Sequence, residues 1–145
     1  CPDRALSVGQ WCEIRTKNIS LLPQDMALFP ELTVGQNIDL KNNRTRHKTR
    51  REIMDCLERV GIAEKYDVLA CQLSIGQMQR VALVRALCQP FDFIFLDEPV
   101  SHLDARNNQI VAEMVSEEAQ RQGAGIIATS VGNHLLLSNA EFVAL

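Results

Sequence analysis

Apolar and polar residues follow one another along the chain in blocks that predict short strands separated by helices. Three apolar runs, residues 18–22, 91–96 and 125–129, have the length and composition of buried strands. Two further strands are predicted near the ends of the chain, over residues 10–14 and 140–145. Buried strands that alternate with helices are typical of a parallel sheet in an α/β fold.

Four helices are predicted between and after these strands. The first begins in residues 33–36, where a Thr and a Gln three positions apart have the spacing of a capping box. The second has an apolar face and ends at Gly61. The third, residues 78–89, is apolar on most faces and is expected to be deeply buried. The fourth follows Asp104 and closes at Gly123.

Length and charge narrow the class of protein. A chain of 145 residues is long enough for one domain with a sizeable core, and no apolar run reaches the ~20 residues that a membrane span needs. The net charge of −3 gives no general attraction to nucleic acid. Residues 41–51 contain seven Lys, Arg or His residues, but no aromatic residues interleave. A solvated helix face is therefore expected there, rather than a nucleic-acid arm.

The first stretch that carries candidate chemistry is Leu73-Ser74-Ile75-Gly76-Gln77, which opens the third helix. Ser74 and Gln77 have the spacing of a capping box, and a capped helix start needs no ligand to explain it. The amides and the dipole of a helix start also suit an anion, and Gly76 permits close approach of a phosphate. The residues alone leave both interpretations open.

The second stretch is a pair of adjacent carboxylates, Asp97 and Glu98, which follows the predicted strand 91–96. Ligands of α/β sheets bind at this end of the strands. Asp97 suits Mg²⁺, which prefers oxygen ligands, and Glu98 suits a general base acting on water, a role typically worth ~10²–10⁴ in rate. The alternative is a pair that only caps a loop. Asp104, a little further on, has the position of a helix N-cap.

In this order, these stretches resemble the ATP-binding subunit of ABC transporters. LSIGQ resembles that family's signature, FIFLDEP its Walker B strand with the adjacent catalytic Glu, and SHLD its D-loop. Residues 21–25 and 27–34 are similar to the Q-loop and the segment after it. The resemblance implies an α/β fold, a partial P-loop NTPase core with a parallel sheet plus an inserted helical subdomain. Residues 1–24 and 90–145 would be parts of the ATPase core, and residues 25–89 would form the helical subdomain.

The resemblance assigns one group of residues to catalysis on Mg-ATP. Asp97 would hold Mg²⁺, Glu98 would be the catalytic base, and Gln24 would contact Mg²⁺ and the attacking water. At the end of the last core strand the family has a His that contacts the γ-phosphate, and this chain has Ser130 there. His134 lies four residues further on and would substitute only in an unusual loop.

A second group is implied to bind nucleotide across a dimer interface. Ser74, Gly76 and Gln77 would contact the γ-phosphate of an ATP held by the opposite subunit, and Asp104 would meet that subunit. Ile75 replaces the more usual Gly of the signature. The chain contains no G-x-x-x-x-G-K-[ST] loop, so it is expected to be a fragment of a longer protein, with natural loss of the loop as the alternative.

The sequence therefore predicts that the full-length parent is the ATP-hydrolysing motor subunit of an ABC-type membrane transporter, while the fragment alone is inactive. Two such subunits, identical or different, would sandwich ATP and Mg²⁺ and drive a transmembrane permease. The five cysteines form no C-x-x-C pair, which favours reduced thiols in a cytoplasmic protein, held at the inner face of the cell membrane by the permease. No nucleic-acid partner is expected. Two alternatives stay open: a degenerate non-hydrolysing module, and a soluble relative that works on DNA or ribosomes.

Overall fold

The computed structural model describes residues 5–138, 140, 141 and 143, and its centre is a sheet of three parallel strands. The strands are β1 (Ile19–Leu22), β2 (Phe93–Asp97) and β3 (Gly125–Thr129), in the order β1–β2–β3. Ile19 is paired with Phe93, and Phe93 with Gly125, so all three strands start level with one another. The α/β class and the parallel sheet that the sequence predicts are confirmed.

The described residues contain five α-helices, of which the first precedes β1 and the other four connect the strands. Ser7, Thr33, Thr49 and Ser74 each form a capping box at a helix start, and Asp104 caps the last helix. The helices are α1 (Val8–Lys17), α2 (Val34–Thr45), α3 (Arg50–Arg59), α4 (Ile75–Ala86) and α5 (Ala105–Gln122), with short 3₁₀ turns at Ala63–Lys65 and Ala70–Gln72.

Three of the predicted boundaries are corrected by the structure. Residues 10–14 are not a strand but part of α1, because the Ser7 hydroxyl accepts a hydrogen bond from the Gln10 amide and starts a helix. The third predicted helix, α4, begins at Ile75 and ends at Ala86, so both of its ends lie three residues before the predicted range of 78–89. Of the predicted strand 140–145, residues 140, 141 and 143 are not in a strand, and the others lie outside the described residues.

The basic stretch 41–51 is not the single solvated helix face that the sequence predicts. It covers the end of α2, a turn at Arg46 with a left-handed φ of 50°, and the start of α3. Lys48 in this stretch is buried, and its N–H donates to Asn42 Oδ1 at 2.9 Å. The stretch therefore contributes to tertiary packing.

The partner of Lys48 is Glu118, a buried carboxylate on α5. Lys48 Nζ lies 2.7 Å from Glu118 Oε2, and His47 Nε2 lies 2.9 Å from Oε1. Arg121 donates to both oxygens at 2.8 Å. Burial acts to raise the pKa of Glu118, but the hydrogen bonds from His47, Arg121 and Lys48 outweigh it and hold the pKa well below its usual range. These four residues, the Glu118 cluster, fasten the turn between α2 and α3 to α5.

On one face of the sheet β1 and β2 are buried, with α4 contacting β1. α5 contacts β3, but no residue of β3 is buried, so the buried strand predicted over residues 125–129 is a partly to fully exposed one. Leu22, Ile94 and Leu96 on this face are at most 1% exposed. Ser20, on the same face, donates its hydroxyl hydrogen to the Ala86 carbonyl of α4 at 2.6 Å. Most of α4 is buried, as its apolar sequence predicts.

The opposite face of the sheet carries large apolar side chains that are about half exposed. Leu21, Phe93 and Ile127 are 42%, 49% and 46% exposed. The strand register places Leu21 beside Phe95 and Phe95 beside Ile127, in one row across the sheet. Leu21, Phe93, Phe95 and Ile127 form what we call the open sheet face. Among the described residues, no strand pairs with the outer edge of β3.

Two further properties concern the whole described part of the chain. None of its helices combines the length and the apolar character required to cross a bilayer. Its cysteines are free thiols, and burial raises the pKa of Cys88 to about 12, which leaves that thiol unreactive.

Candidate active site

The carboxyl ends of the strands lie side by side at one edge of the sheet. Asp97, the last residue of β2, is paired with Thr129, the last residue of β3. The Thr129 hydroxyl donates to Asp97 Oδ1 at 2.5 Å, and the Glu98 N–H donates to the Thr129 carbonyl at 3.2 Å. Asp97 is therefore held by its carboxylate and Glu98 by its backbone N–H, both at the same edge of the sheet.

Asp97 and Glu98 line a cavity of about 920 Å³. Ser130 and His134 also line it, and the Ser130 hydroxyl lies 2.5 Å from His134 Nδ1. A bend over residues 131–133 turns the chain back, so that His134 reaches Ser130 across four positions. The rest of the wall is largely apolar and includes Ile126, Ala128, Leu135 and Leu137.

Glu98 has a left-handed backbone conformation, with a φ of 52°. For a residue other than glycine this conformation costs ~1–3 kcal/mol, and it persists only where the surroundings hold it. The Glu98 carbonyl accepts a hydrogen bond from Gln79 Nε2 at 2.8 Å and another from the Ser101 N–H at 3.3 Å. Strain of this kind is concentrated at functional sites, which supports a functional interpretation of Glu98.

Gln24 lies in the turn that follows β1. Its side chain is exposed, and it does not line the cavity that contains Asp97. Two later residues of this turn, Met26 and Ala27, have left-handed φ values of 61° and 47°. Arg85 of α4 donates to their carbonyl groups at 2.7 and 2.8 Å. The structure thus fixes the turn but does not bring Gln24 to the carboxylates.

Ser74, Gly76 and Gln77 lie together at the start of α4. The Ser74 hydroxyl accepts from the Gln77 N–H at 3.2 Å, and Gln77 Oε1 accepts from the Ser74 N–H at 2.9 Å. A Cβ at Gly76 would lie 3.1 Å from the His102 carbonyl oxygen, so glycine lets the helix start approach the turn before α5 closely. None of the three residues lines the cavity at the sheet edge.

Asp104 is the N-cap of α5, as its position in the sequence predicts. Its Oδ1 accepts a hydrogen bond from the Asn107 N–H at 2.8 Å. This hydrogen bond holds the pKa of the Asp104 carboxyl below its usual value. The side chain is exposed, and its contact with a second subunit stays a prediction.

A comparison with protein families tests the resemblance of these motifs. The family described as ABC transporter matches residues 3–101, which is more than half of the chain. The chain belongs to the ABC transporter family. The matched residues include the turn with Gln24, the start of α4 and the two carboxylates.

Individual ABC transporter proteins are similar over most of this chain. YvrO of Bacillus subtilis (strain 168), an ABC transporter ATP-binding protein, is 37% identical over 122 residues, which are 82% of this chain and 53% of that protein. The Fe(3+) ions import ATP-binding protein FbpC 1 of Rhodococcus jostii (strain RHA1) is 38% identical over 121 residues, 80% of this chain and 35% of that protein. The chain thus spans about half the length of such relatives, or less.

Solved structures of ABC ATPases share the fold. The ATP-binding cassette MJ0796, in a dimeric post-hydrolysis state bound to ADP and Pi, matches with a TM-score of 0.74 and 26% identity, over 86% of this chain and 57% of that one. A second dimeric structure of MJ0796, 24% identical, has the same TM-score of 0.74. These similarities confirm that the α/β fold of this chain is part of the fold of an ABC ATPase.

The cation that membership of the ABC transporter family implies is Mg²⁺, and the donors at the sheet edge fit it. Asp97 offers an exposed carboxylate, a hard oxygen ligand. Within the described residues, no group of three or more His, Cys, Asp and Glu side chains is placed to hold a metal. Mg²⁺ commonly uses one or two carboxylates and keeps waters and substrate phosphates as its other ligands. A single strand-end carboxylate fits this way of holding Mg²⁺.

Three residues that build this site were not predicted from the sequence: Gln79, Arg85 and Thr129. Gln79 and Arg85 are only 3% and 7% exposed. Arg85 is a polar residue that follows the apolar run 81–84 of α4, and a buried polar group has to find hydrogen-bond partners, so this contrast was a usable signal for Arg85. Gln79 lies between Met78 and Arg80 at the polar start of the helix, and the sequence carries no such signal for it. Thr129 carries none beyond its place at a strand end.

Proposed function

We propose that the full-length protein containing this chain is the ATP-hydrolysing motor subunit of an ABC-type membrane transporter. The observation that carries the proposal is the strained Glu98, held beside Asp97 in a cavity at the carboxyl ends of parallel strands. Family membership supports ATP as the nucleotide.

In the proposed reaction, Glu98 polarises the water that attacks the γ-phosphate. Asp97, with Gln24, would hold Mg²⁺, which neutralises charge on the phosphates when it is bound. Gln24 lies in the turn that follows the neighbouring strand β1, and the proposal requires its amide to reach the carboxylates when Mg-ATP is bound. Ser130, in the same cavity, offers a hydroxyl where charge develops on the γ-phosphate.

The proposal includes a second ATP-binding subunit, identical or different. Ser74, Gly76 and Gln77 do not line the cavity of their own subunit, so their helix start would serve a nucleotide held by the partner. Asp104 would contact the same partner. The dimeric state of the similar MJ0796 cassette supports this arrangement.

The further partner in this proposal is a transmembrane permease, which would hold the protein at the inner face of the cell membrane. The import function in the name of FbpC 1 supports a role in transport. Residues 25–89 would form a helical subdomain that faces the permease, with residues 1–24 and 90–145 as parts of the ATPase core. No nucleic acid takes part in this scheme.

A non-hydrolysing module that binds nucleotide or permease is the second candidate, and Ser130 favours it. A hydroxyl is shorter than an imidazole and cannot carry positive charge toward a developing γ-phosphate. The intact Glu98 stands against this candidate, because a base for water has no use in a protein that does not hydrolyse.

The test is Glu98→Gln in the full-length protein. We expect ATP binding to persist, steady-state turnover to fall by about 10²-fold or more, and an ATP-bound dimer to accumulate in size-exclusion chromatography. Glu64→Gln, at an exposed glutamate, is the matched control and should behave as the wild type. Turnover at the wild-type rate in Glu98→Gln would refute the assignment. A wild-type protein that binds ATP without turnover would support the second candidate.

A further inference from the structure

Gln79 joins the helix that begins at Ile75 to the turn that carries Glu98. Its side chain is buried in the described structure, at 3% exposure. Its Nε2 donates to the Glu98 carbonyl at 2.8 Å and to the Ser101 hydroxyl at 3.2 Å. Its Oε1 accepts from the His102 N–H at 3.1 Å. One side-chain amide thus bonds three groups of a single turn, residues 98–102.

The hydrogen-bond partners of Gln79 distinguish it from a buried glutamine whose amide only needs some partner in the core. Its first acceptor is the carbonyl of Glu98, a residue with a left-handed backbone. Gly76 lies one helical turn before Gln79 on the same side of α4, close to the His102 carbonyl. Two positions of α4 therefore pack against the turn that begins with Glu98.

We propose that Gln79 is a positioning residue for ATP hydrolysis, which sets the direction of the Glu98 carboxylate by holding the carbonyl of the same residue. The inference rests on the proposed function of Glu98 as the base. The backbone dihedrals of Glu98 decide where its Cβ points. Without Gln79 the Glu98 carbonyl loses its shortest hydrogen bond and keeps only the Ser101 hydroxyl at 3.2 Å and the Ser101 N–H at 3.3 Å, so its left-handed conformation is held less firmly. Rotation toward the ordinary right-handed region would move the carboxylate out of its place in the cavity.

The size of the effect follows from how strongly hydrolysis depends on geometry. A displacement of ~1 Å at a reacting group can cost ~10²-fold in rate. Binding of ATP does not require the base, because phosphates and Mg²⁺ are held by other groups. Loss of the Gln79 amide is therefore expected to lower kcat and to leave KM for ATP unchanged.

The first experiment compares Gln79→Met with Gln120→Met in the full-length protein. Met conserves the length of the side chain and removes its donor and acceptor, and Gln120 is an exposed glutamine on α5. We expect kcat of Gln79→Met to fall by about 10- to 100-fold at constant KM, and Gln120→Met to match the wild type. A Gln79 with only a structural role would lower the melting temperature and leave kcat of the folded protein unchanged, which would overturn the proposal.

A second variant, Gln79→Glu, keeps the acceptor for the His102 N–H and loses the donor to the Glu98 carbonyl. We expect kcat to fall as in Gln79→Met, and a wild-type kcat would contradict the proposal. If Gln79→Met does not fold, kcat of Gln79→Glu tests the proposal in its place.

Amide hydrogen exchange at His102 gives a readout that does not depend on turnover. Exchange should accelerate in Gln79→Met, because the N–H loses its acceptor, and an unchanged rate would overturn the proposal. The two proposals can fail separately. If the wild type does not hydrolyse ATP, the proposed function fails. If Glu98→Gln abolishes turnover and Gln79→Met does not reduce it, only the role of Gln79 fails.

Discussion

The hydroxyl of Ser130 lies 2.5 Å from Nδ1 of His134, so an imidazole stands beside the residue at the end of the last core strand. Both side chains line the cavity that contains Asp97 and Glu98. This imidazole belongs to a residue four positions further along the chain. Ser130 follows β3 directly and is therefore closer to the strand end than His134 is.

We expect Ser130→His to raise ATP turnover in the full-length homodimer, because the new imidazole can carry a positive charge toward the γ-phosphate. The measurement is kcat with ATP affinity and melting temperature as controls. His134→Ala in the Ser130→His background should keep the gain. No increase in a folded, ATP-binding Ser130→His protein would show that Ser130 does not limit the rate.

Glu118→Ala is expected to destabilise the fold by about 3 kcal/mol or more, because it leaves the buried Lys48 without its carboxylate. The matched control is Glu117→Ala, its neighbour on α5. Glu117 pairs with Arg59 at side-chain exposures of 61% and 40%, and such a surface pair is worth less than about 1 kcal/mol. Urea denaturation of both variants measures the free energies of unfolding, and equal losses would contradict the buried role of Glu118.

The same carboxylate predicts a dependence of stability on pH. The folded pKa of Glu118 is lowered relative to the unfolded chain, where a glutamate titrates near pH ~4.3. The contribution of the ionised Glu118 carboxylate to the free energy of unfolding is therefore complete above that pH and is lost as the pH falls below it. The difference in unfolding free energy between the wild type and Glu118→Ala should shrink from pH 6 to pH 3. A difference that stays constant over this range would rule out the lowered pKa.

Residues 1–145 alone are expected not to bind Mg-ATP at micromolar to low-millimolar concentration, and not to hydrolyse it. A P-loop supplies most of the amides and the Lys that hold the β- and γ-phosphates, and this sequence contains none. The two carboxylates at the sheet edge repel phosphate unless Mg²⁺ intervenes. Calorimetry with Mg-ATP is the measurement, and a tight binding isotherm would contradict this expectation.

The isolated chain is also expected to self-associate through the open sheet face or the outer edge of β3. Apolar side chains exposed in a row favour association, and an unpaired strand edge is a template for another chain. Ile127→Ser should lower the apparent mass in light scattering, whereas Val8→Ser, at a residue 81% exposed on α1, should not. Light scattering that shows a clean monomer of the wild-type chain at high concentration would contradict the expected self-association.

The strands and most helix starts could be predicted because their causes are local. The apolar runs of β1, β2 and β3 identify the sheet, and Thr33, Ser74 and Asp104 mark helix starts through contacts within three residues. The strand predicted over residues 10–14 was wrong for a related reason. Trp11, Cys12 and Ile14 suit a strand, but the capping box at Ser7, also within three residues, starts a helix.

The parts that could not be predicted depend on contacts between distant residues. In the sequence, Lys48 does not differ from a surface cation, and only the fold places it against Glu118. Gln79 does not differ from an ordinary helix residue, and only the fold places its amide against the turn after β2. The place of His134 depends on the path of the bend before it, which the residue types there do not determine.

The order of the strands has a consequence for how the chain folds. Residues 23–92 lie between β1 and β2, yet Ile19 must pair with Phe93. Closing so long a loop loses chain entropy before the pairing returns any stability, so the sheet is expected to form slowly. During synthesis, β1 leaves the ribosome well before its neighbour exists. The segment from α2 to α4 can condense in that interval, and the sheet that carries both carboxylates is then completed last.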